Sequence, residues 1–281
     1  MNSEGYLSEL FSSIQGEGGT VRGSCFGKRQ IFIRFSGCNI AEAKSGCLWC
    51  DTPHAQKFKY KSFKYEEIPG SQELLVNNNP AKIPKIIEII KKLITPDLHS
   101  ISFTGGEPLC QISFMLNIVK SLKAAGVEYP LYLETNGTIL PDKNQFNAFA
   151  TDFNYCCCDI KDRSSRATLS GDWKRLVDRE VNFIEKMVNL GIETYAKIVI
   201  TSQTKIQDIK WISKIISEIK YPNDQSVGLA IQPVTLKNTE LEEKFSISLE
   251  HLNNIFYTAA EFLSPENLTL SIQAHKFLNL L

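Results

Sequence analysis

The sequence carries no surplus of charge of either sign: across 281 residues, 31 lysines and arginines stand against 31 aspartates and glutamates. With no net field to gather nucleic acid or an anionic membrane surface, neither is expected as a partner, and small-molecule chemistry is favoured. A membrane span is also missing, since no stretch approaches the ~18 consecutive apolar residues that a crossing helix needs. The first residues, Met1-Asn-Ser-Glu-Gly-Tyr-Leu-Ser-Glu9, have neither the basic region nor the apolar run of a secretory signal. A cytoplasmic location is therefore expected. Internal repeats and long disordered tails are lacking too, so a single domain over 1–281 with decorated loops is the expected organisation. The cytosol keeps thiols reduced, so the eight cysteines read as metal ligands or core residues rather than disulfides.

What is present is an alternation of strand and helix patterns. Short β-branched and aromatic runs at Ile31 to Phe35, Ser100 to Phe103, Leu131 to Leu133, Tyr155 to Cys158, Thr194 to Ile200 and Val227 to Ile231 read as six strands. Between and after them, Pro84 to Ile94, Ile112 to Ala124, Trp173 to Leu190, Asp208 to Ile219 and Leu249 to Phe262 place apolar residues at helical spacing. Strands alternating with helices predict an α/β fold, a modified, incomplete (β/α) barrel of about six strands with a largely parallel sheet. Residues 60–79, with their lysines, Pro69-Gly70 and Asn77-Asn-Asn79, read as a polar surface insertion.

In such sheets the working residues sit at the carboxyl ends of strands. Cys38, Cys47 and Cys50 fall there, after the first strand. Cys47-Leu-Trp-Cys50 can bring two thiols to one metal within a tight turn, and Cys38 enters from the strand end. Three thiolates around a four-iron cluster leave one iron without a protein ligand, the arrangement that reductive cleavage of S-adenosylmethionine requires. A three-cysteine zinc site or simple buried cysteines remain open on spacing alone. After the second strand comes Thr104-Gly-Gly-Glu-Pro108, whose glycines let backbone approach a ligand and whose proline suits a first helical turn. Cys156-Cys-Cys158 is not a second cluster, because neighbouring strand residues point to opposite faces; buried core is the expectation. Cys25 and Cys110 lack metal spacing.

The cysteine loop and the Gly-Gly-Glu-Pro turn together resemble the radical S-adenosylmethionine superfamily. The likeness narrows with Phe11-Ser-Ser-Ile-Gln-Gly-Glu-Gly18, Arg34-Phe-Ser-Gly-Cys38, Cys50-Asp-Thr52, Glu134-Thr-Asn-Gly137, Gln232-Pro233 and the terminal His275-Lys-Phe-Leu-Asn-Leu-Leu281. These blocks resemble the 7-carboxy-7-deazaguanine synthases in order and over the whole chain. The resemblance implies that Cys38, Cys47 and Cys50 bind a 4Fe-4S cluster, with Ile14, Gln15, Gly16, Arg34, Thr104 and the terminal carboxylate of Leu281 on a pterin substrate. It further implies S-adenosylmethionine contacts from Gly106, Glu134, Asn136, Asp159, Ile160, Lys161, Gln232, Pro233, Val234 and Thr235. Thr52 would give magnesium an oxygen ligand. Read from the residues, Arg34 on a buried strand needs an anion, either a substrate carboxylate or a structural partner such as Glu17 or Asp51. Two departures from the family stand out: Asp159-Ile-Lys161 replaces a usual Ser-Pro-Lys, and eight residues rather than three separate Cys38 from Cys47.

The implied reaction is a carbon–nitrogen lyase step. A radical derived from S-adenosylmethionine abstracts hydrogen from carbon 6 of 6-carboxy-5,6,7,8-tetrahydropterin, and ring contraction with loss of ammonia gives 7-carboxy-7-deazaguanine for queuosine-type deazapurines. The resemblance also implies a homodimer and a reducing partner such as flavodoxin or ferredoxin. Alternative readings are a glycyl-radical activating enzyme and a non-catalytic zinc-binding protein.

Overall fold

The computed structural model describes residues 3–43, 46–168, 172–236 and 239–281. One large sheet holds ten strands: β1 (Leu7–Ile14), β2 (Arg29–Phe35), β3 (Ser62–Glu66), β4 (Leu74–Asn78), β5 (Leu98–Gly105), β6 (Leu131–Thr135), β7 (Tyr155–Ile160), β8 (Glu193–Ile200), β9 (Gly228–Pro233) and β10 (Leu268–Leu270). Their order across the sheet is β10-β9-β8-β7-β6-β5-β2-β1-β3-β4. The six strands read from sequence are β2 and β5 to β9. They lie side by side, each parallel to the next. The sheet is thus larger than the six strands expected, extended by β1, β3, β4 and β10.

Parallel neighbours need crossovers, and helices provide them. These are α1 (Ile83–Leu93), α2 (Ile112–Ala124), α3 (Lys143–Asp152), α4 (Trp173–Asn189) and α5 (Ile206–Glu218), followed by α6 (Thr239–Phe245) and α7 (Leu249–Ala260) before β10. In α1, Ile83, Ile86, Ile89, Ile90 and Leu93 form one buried stripe, each side chain contributing about 1.5–3 kcal/mol by leaving water. That stripe joins Ile33, Phe35, Phe103, Leu133, Ile198 and Ile231 in the main apolar core. Helix α3 escapes the periodicity argument because Phe149 is its only buried residue among those described. Its start is nonetheless written in the sequence as a capping box: Asp142 accepts from Gln145 N and Gln145 accepts from Asp142 N, both at 2.9 Å.

Residues 60–79, expected as a polar surface insertion, are mostly exposed and also extend the sheet. They form the β3–β4 hairpin, with β3 parallel to β1. Phe63 is buried beneath it, and fully buried Glu66 accepts from Ser12 N at 2.9 Å and Gln72 N at 2.8 Å.

The sheet is open, with β10 and β4 at its ends, yet it curls. Tyr132 of β6 and Tyr195 of β8 meet hydroxyl to hydroxyl at 2.8 Å across the intervening β7. The β1–β2 loop then crosses the gap to the far edge. Gly18 N donates to Ser271 Oγ at 2.9 Å, and Thr20 N donates to Thr269 Oγ1 at 3.2 Å. This is an incomplete barrel. The three consecutive cysteines on β7 divide as strand alternation requires: Cys156 and Cys158 join the main core, while Cys157 joins Tyr132 and Tyr195. No helix among the described residues is long and apolar enough to cross a membrane.

Candidate active site

A cavity of about 820 Å³ opens where the parallel strands end. Ile14 of β1, Arg34 of β2, Thr104 of β5, Glu134 of β6, Asp159 of β7, Lys197 of β8 and Gln232 of β9 all line it. Seven strands reach one cavity only because the sheet is curled. Gln15, Gly16, Cys38, Cys47, Cys50, Thr52, Gly106, Asn136, Ile160, Lys161, Val234, Thr235 and Leu281 also line it. Pro233, expected to touch a cofactor, is not among the lining residues.

The cysteine wall is built from the chain after β2. Cys50 N donates to Cys47 O at 3.2 Å, the tight turn expected of that pair, and Cys38 N is held by Gln56 O at 3.0 Å. The long spacer begins as a short helix, Asn39–Ala43; Lys44 and Ser45 lie outside the described residues. Cys38 and Cys47 pack against Ile40, Ala167 and Leu176, and all three thiols are free of disulfides. Burial pushes the Cys47 thiol up to about 11 against the pull of Lys161; bound iron reverses that preference by supplying positive charge. Among the described residues no three His, Cys, Asp or Glu side chains form a group that could hold a metal ion. As a donor set, Cys38, Cys47 and Cys50, the cysteines that line the cavity, match in kind and number what a four-iron cluster with one open iron takes from the protein.

The Gly-Gly-Glu-Pro turn packs onto this wall. A Cβ on Gly106 would stand 2.3 Å from Gly37 O and 2.4 Å from Ala55 O, so only glycine lets the turn meet the cysteine loop. Glu107 N donates to Gly37 O at 2.7 Å. The Glu107 carboxylate, fully buried, accepts from Leu109 N at 2.9 Å, Thr135 Oγ1 at 2.7 Å and Asn136 N at 2.7 Å. Burial raises it to about 7 despite those bonds. Asn136 is locked in turn, its amide donating to Asn39 Oδ1 at 3.1 Å and accepting from Thr138 N at 3.0 Å.

On the β1 side, Glu134 accepts from Gln15 Nε2 at 2.7 Å and from Thr104 Oγ1 at 2.8 Å. Burial raises its carboxyl above the ordinary range. Glu134 therefore joins two residues expected on substrate, although the family likeness placed it on the cofactor. Arg34 pairs with neither Glu17 nor Asp51. Its partner is Glu9, Nε to Oε2 at 3.0 Å, with the N–H not aligned for a hydrogen bond. His54 lies 3.1 Å from the same oxygen. Burial raises the Glu9 carboxyl, but His54 and Arg34 outweigh it and hold it below its usual range.

On the opposite side, Asp159 stands between Lys161 and Lys197, each nitrogen 3.1 Å from one of its oxygens. The two cations overcome burial and hold Asp159 at about 2. Lys197 also pairs with Glu17, which accepts from Gln273 Nε2 at 2.7 Å. Gln273 Nε2 donates in addition to Asp51 Oδ2 at 2.9 Å. Sequence reading named no role for Lys197 or Gln273. The signal for Lys197 was a lysine inside the apolar run Tyr195-Ala-Lys-Ile-Val-Ile200. Thr52 Oγ1 lies 3.9 Å from Cys50 Sγ. The C-terminal segment docks through Ala274 N on Gly16 O at 3.0 Å, where a Cβ on Gly16 would stand 2.8 Å from His275 N.

A family profile described as "4Fe-4S single cluster domain" matches residues 14–173. The 7-carboxy-7-deazaguanine synthase of Thermococcus kodakarensis is 37% identical over 276 residues, covering 98% of each chain. That of Methanocaldococcus jannaschii is 35% identical over 276 residues, covering 98% of this chain and 100% of the relative. A bacterial relative of the same name, from Geobacter sulfurreducens, is 30% identical over 232 residues, 82% of this chain and 81% of its own. Among solved structures, native anSMEcpe with bound AdoMet and a peptide superposes with a TM-score of 0.53 at 16% identity. That match covers 86% of this chain and 63% of the other, a likeness of fold alone. Full-length similarity to these relatives, on a curled sheet with three thiols at its mouth, places the chain in the 7-carboxy-7-deazaguanine synthase family of radical S-adenosylmethionine enzymes.

Proposed function

We propose that the cavity converts 6-carboxy-5,6,7,8-tetrahydropterin to 7-carboxy-7-deazaguanine with loss of ammonia. The observation that carries this reading is the meeting of the Cys38, Cys47 and Cys50 wall with Gln15, Arg34 and Thr104 in a single cavity. When bound, the cluster and S-adenosylmethionine supply the one-electron chemistry that opens the substrate to rearrangement. The chain's own residues bind, orient and exclude water. Arg34 offers a planar fork to the substrate carboxylate, for which Lys would be a poor substitute. Gln15, Thr104 and Glu134 form a hydrogen-bonded set at the floor that can read the polar edge of the pterin. Burial raises the Glu134 carboxyl above its ordinary range, so it holds a proton more readily than an exposed carboxyl does.

Gly106, Asn136, Asp159, Ile160, Lys161, Gln232, Val234 and Thr235 are assigned to S-adenosylmethionine. Asp159 and Lys161 supply one charge of each sign toward its ribose and amino-acid ends. Thr52 is assigned to magnesium, which tolerates a single protein oxygen because it keeps waters and takes further oxygens from substrate. The carboxylate of Leu281 is assigned to the substrate. A homodimer in the cytoplasm, reduced by a flavodoxin or ferredoxin, completes the proposal.

Anaerobic reconstitution followed by incubation with the tetrahydropterin, S-adenosylmethionine and a reductant tests it. Mass spectrometry should find the deazaguanine carboxylate and about four irons per chain. Zinc in place of iron, or absence of the deazaguanine product, would sink the reading.

A further inference from the structure

Lys197 is a buried cation that none of the assignments above uses. Its side chain is 9% exposed, yet the residue lines the cavity together with both of its partners, Glu17 and Asp159. Those partners come from different parts of the chain. Asp159 lies directly across the β7–β8 ladder, in register with Lys197. Glu17 belongs to the β1–β2 loop, beyond Gln15 and Gly16, and Glu17 N donates to Gln15 Oε1 at 3.1 Å. The remaining oxygens of the pair are committed as well: Asp159 Oδ2 to Lys161 Nζ at 3.1 Å, Glu17 Oε1 to Gln273 Nε2 at 2.7 Å.

Two carboxylates sharing a buried site repel unless a cation stands between them. Burial lowers the affinity of Lys197 for its proton, but Asp159 and Glu17 outweigh it and hold the ammonium charged. Glu17 is held ionised in the same way, its burial overcome by Lys197. The network reaches the cysteine loop through Gln273 and Asp51. A purely structural ion pair would point its groups into packed core; here all three members face the ligand cavity.

We infer that Lys197 is a positioning residue that couples the segment assigned to the pterin, Ile14-Gln-Gly16, through the adjoining Glu17, to the turn assigned to S-adenosylmethionine, Asp159-Ile-Lys161. The assignment of segment and turn to two ligands rests on the proposed function. Removing the ammonium frees both at once, so one substitution weakens two ligands that need not touch the lysine.

The test uses the cluster-loaded chain, with S-adenosylmethionine and the tetrahydropterin as separate probes in anaerobic equilibrium dialysis and a thermal midpoint measured in parallel. Lys197→Met should weaken both ligands by about tenfold or more, the scale of a lost charged hydrogen bond. Lys197→Arg should return both to within about threefold of wild type, because it keeps the charge. Should Lys197→Met fail to fold, Lys197→Met combined with Glu17→Gln removes the stranded carboxylate. Its second change lies on the pterin side, so its affinity for S-adenosylmethionine still reports whether Lys197 positions the Asp159 turn. A lowered thermal midpoint with both affinities unchanged overturns the inference, as does weakening of one ligand alone. If the wild-type chain binds S-adenosylmethionine but not the pterin, the substrate reading fails; the cofactor affinities of the variants then still decide whether Lys197 positions the Asp159 turn.

Discussion

Glu9 and Arg34 face one another in register across the antiparallel β1–β2 ladder, with Arg34 Nε 3.0 Å from Glu9 Oε2. The guanidinium also lies 5.7 Å from the centre of the Phe11 ring. Glu9 thus satisfies the charge of Arg34 on the strand side and holds it at the cavity wall. A side chain steered in this way gives up less rotamer freedom when an anionic ligand arrives.

Arg34→Lys keeps the charge but loses the fork. The pterin KM should rise about tenfold with kcat nearly unchanged, since one charged hydrogen bond is worth about 1.5–3 kcal/mol. Arg34→Ala should raise it further. Steady-state kinetics at saturating S-adenosylmethionine measure both, and an unchanged KM in Arg34→Ala would remove Arg34 from the substrate.

Glu107 predicts a pH signature in stability. Its carboxyl is raised to about 7 in the fold from an ordinary 4.5, so the folded state binds the proton more tightly than the unfolded one. This contribution is complete below the unfolded value and is lost as pH rises through the folded one, amounting to about 3 kcal/mol if the whole shift is realised. Glu107→Gln cannot titrate, and its NH2 replaces one of the two accepting oxygens, so it meets either Leu109 N and Thr135 Oγ1 or Asn136 N and can accept from none of them. The variant should be less stable, with its deficit against wild type largest near pH 5 and narrowing toward pH 8. Thermal denaturation of both proteins across that range checks the sign.

The cavity residues were legible where chemistry forces a residue type at a strand end. The thiols, the Gly-Gly-Glu-Pro turn and Arg34 stand where β2 and β5 place them because parallel strands deliver their carboxyl ends to one side. The hairpin from 60–79 was not legible as a sheet extension. Its outer strand exposes Leu75 and Val76, and its lysines obscure the one-sided pattern that Phe63 anchors. Partners were the other loss. Glu9 for Arg34 and Lys197 for Glu17 depend on strand register and on a loop crossing the barrel mouth, neither of which local spacing encodes. The glycines of the turn were read for ligand approach, and Gly106, which lines the cavity, is needed as well for contact with Gly37 and Ala55.

Thr104 Oγ1 donates to Glu134 Oε2 at 2.8 Å, and Gln15 holds the other oxygen. Thr104→Val is close in shape but leaves that buried oxygen without its donor, at a cost of about 1–3 kcal/mol. Both the thermal midpoint and the pterin KM should suffer, while affinity for S-adenosylmethionine stays near wild type. Loss of affinity for S-adenosylmethionine with an unchanged pterin KM would place Glu134 on the cofactor instead.

The C-terminal segment offers the sharpest separation of the two ligands. Asn279, Leu280 and Leu281 line the cavity, although the preceding Phe277 and Leu278 are 71% and 65% exposed. Burial of those side chains therefore contributes little to holding the segment. Polar ties do the holding: Ala274 N on Gly16 O at 3.0 Å at its root, and Gln72 Nε2 of the hairpin on Asn279 O at 2.9 Å near its tip. Deleting Leu281 moves the terminal carboxylate back by one residue, ~3.3–3.6 Å of chain, without disturbing either tie. The pterin KM should rise about tenfold or more, as expected for a lost charged contact. Iron content, affinity for S-adenosylmethionine and thermal midpoint should remain at wild-type values, so a shortened chain with an unchanged KM would exclude the carboxylate from the substrate.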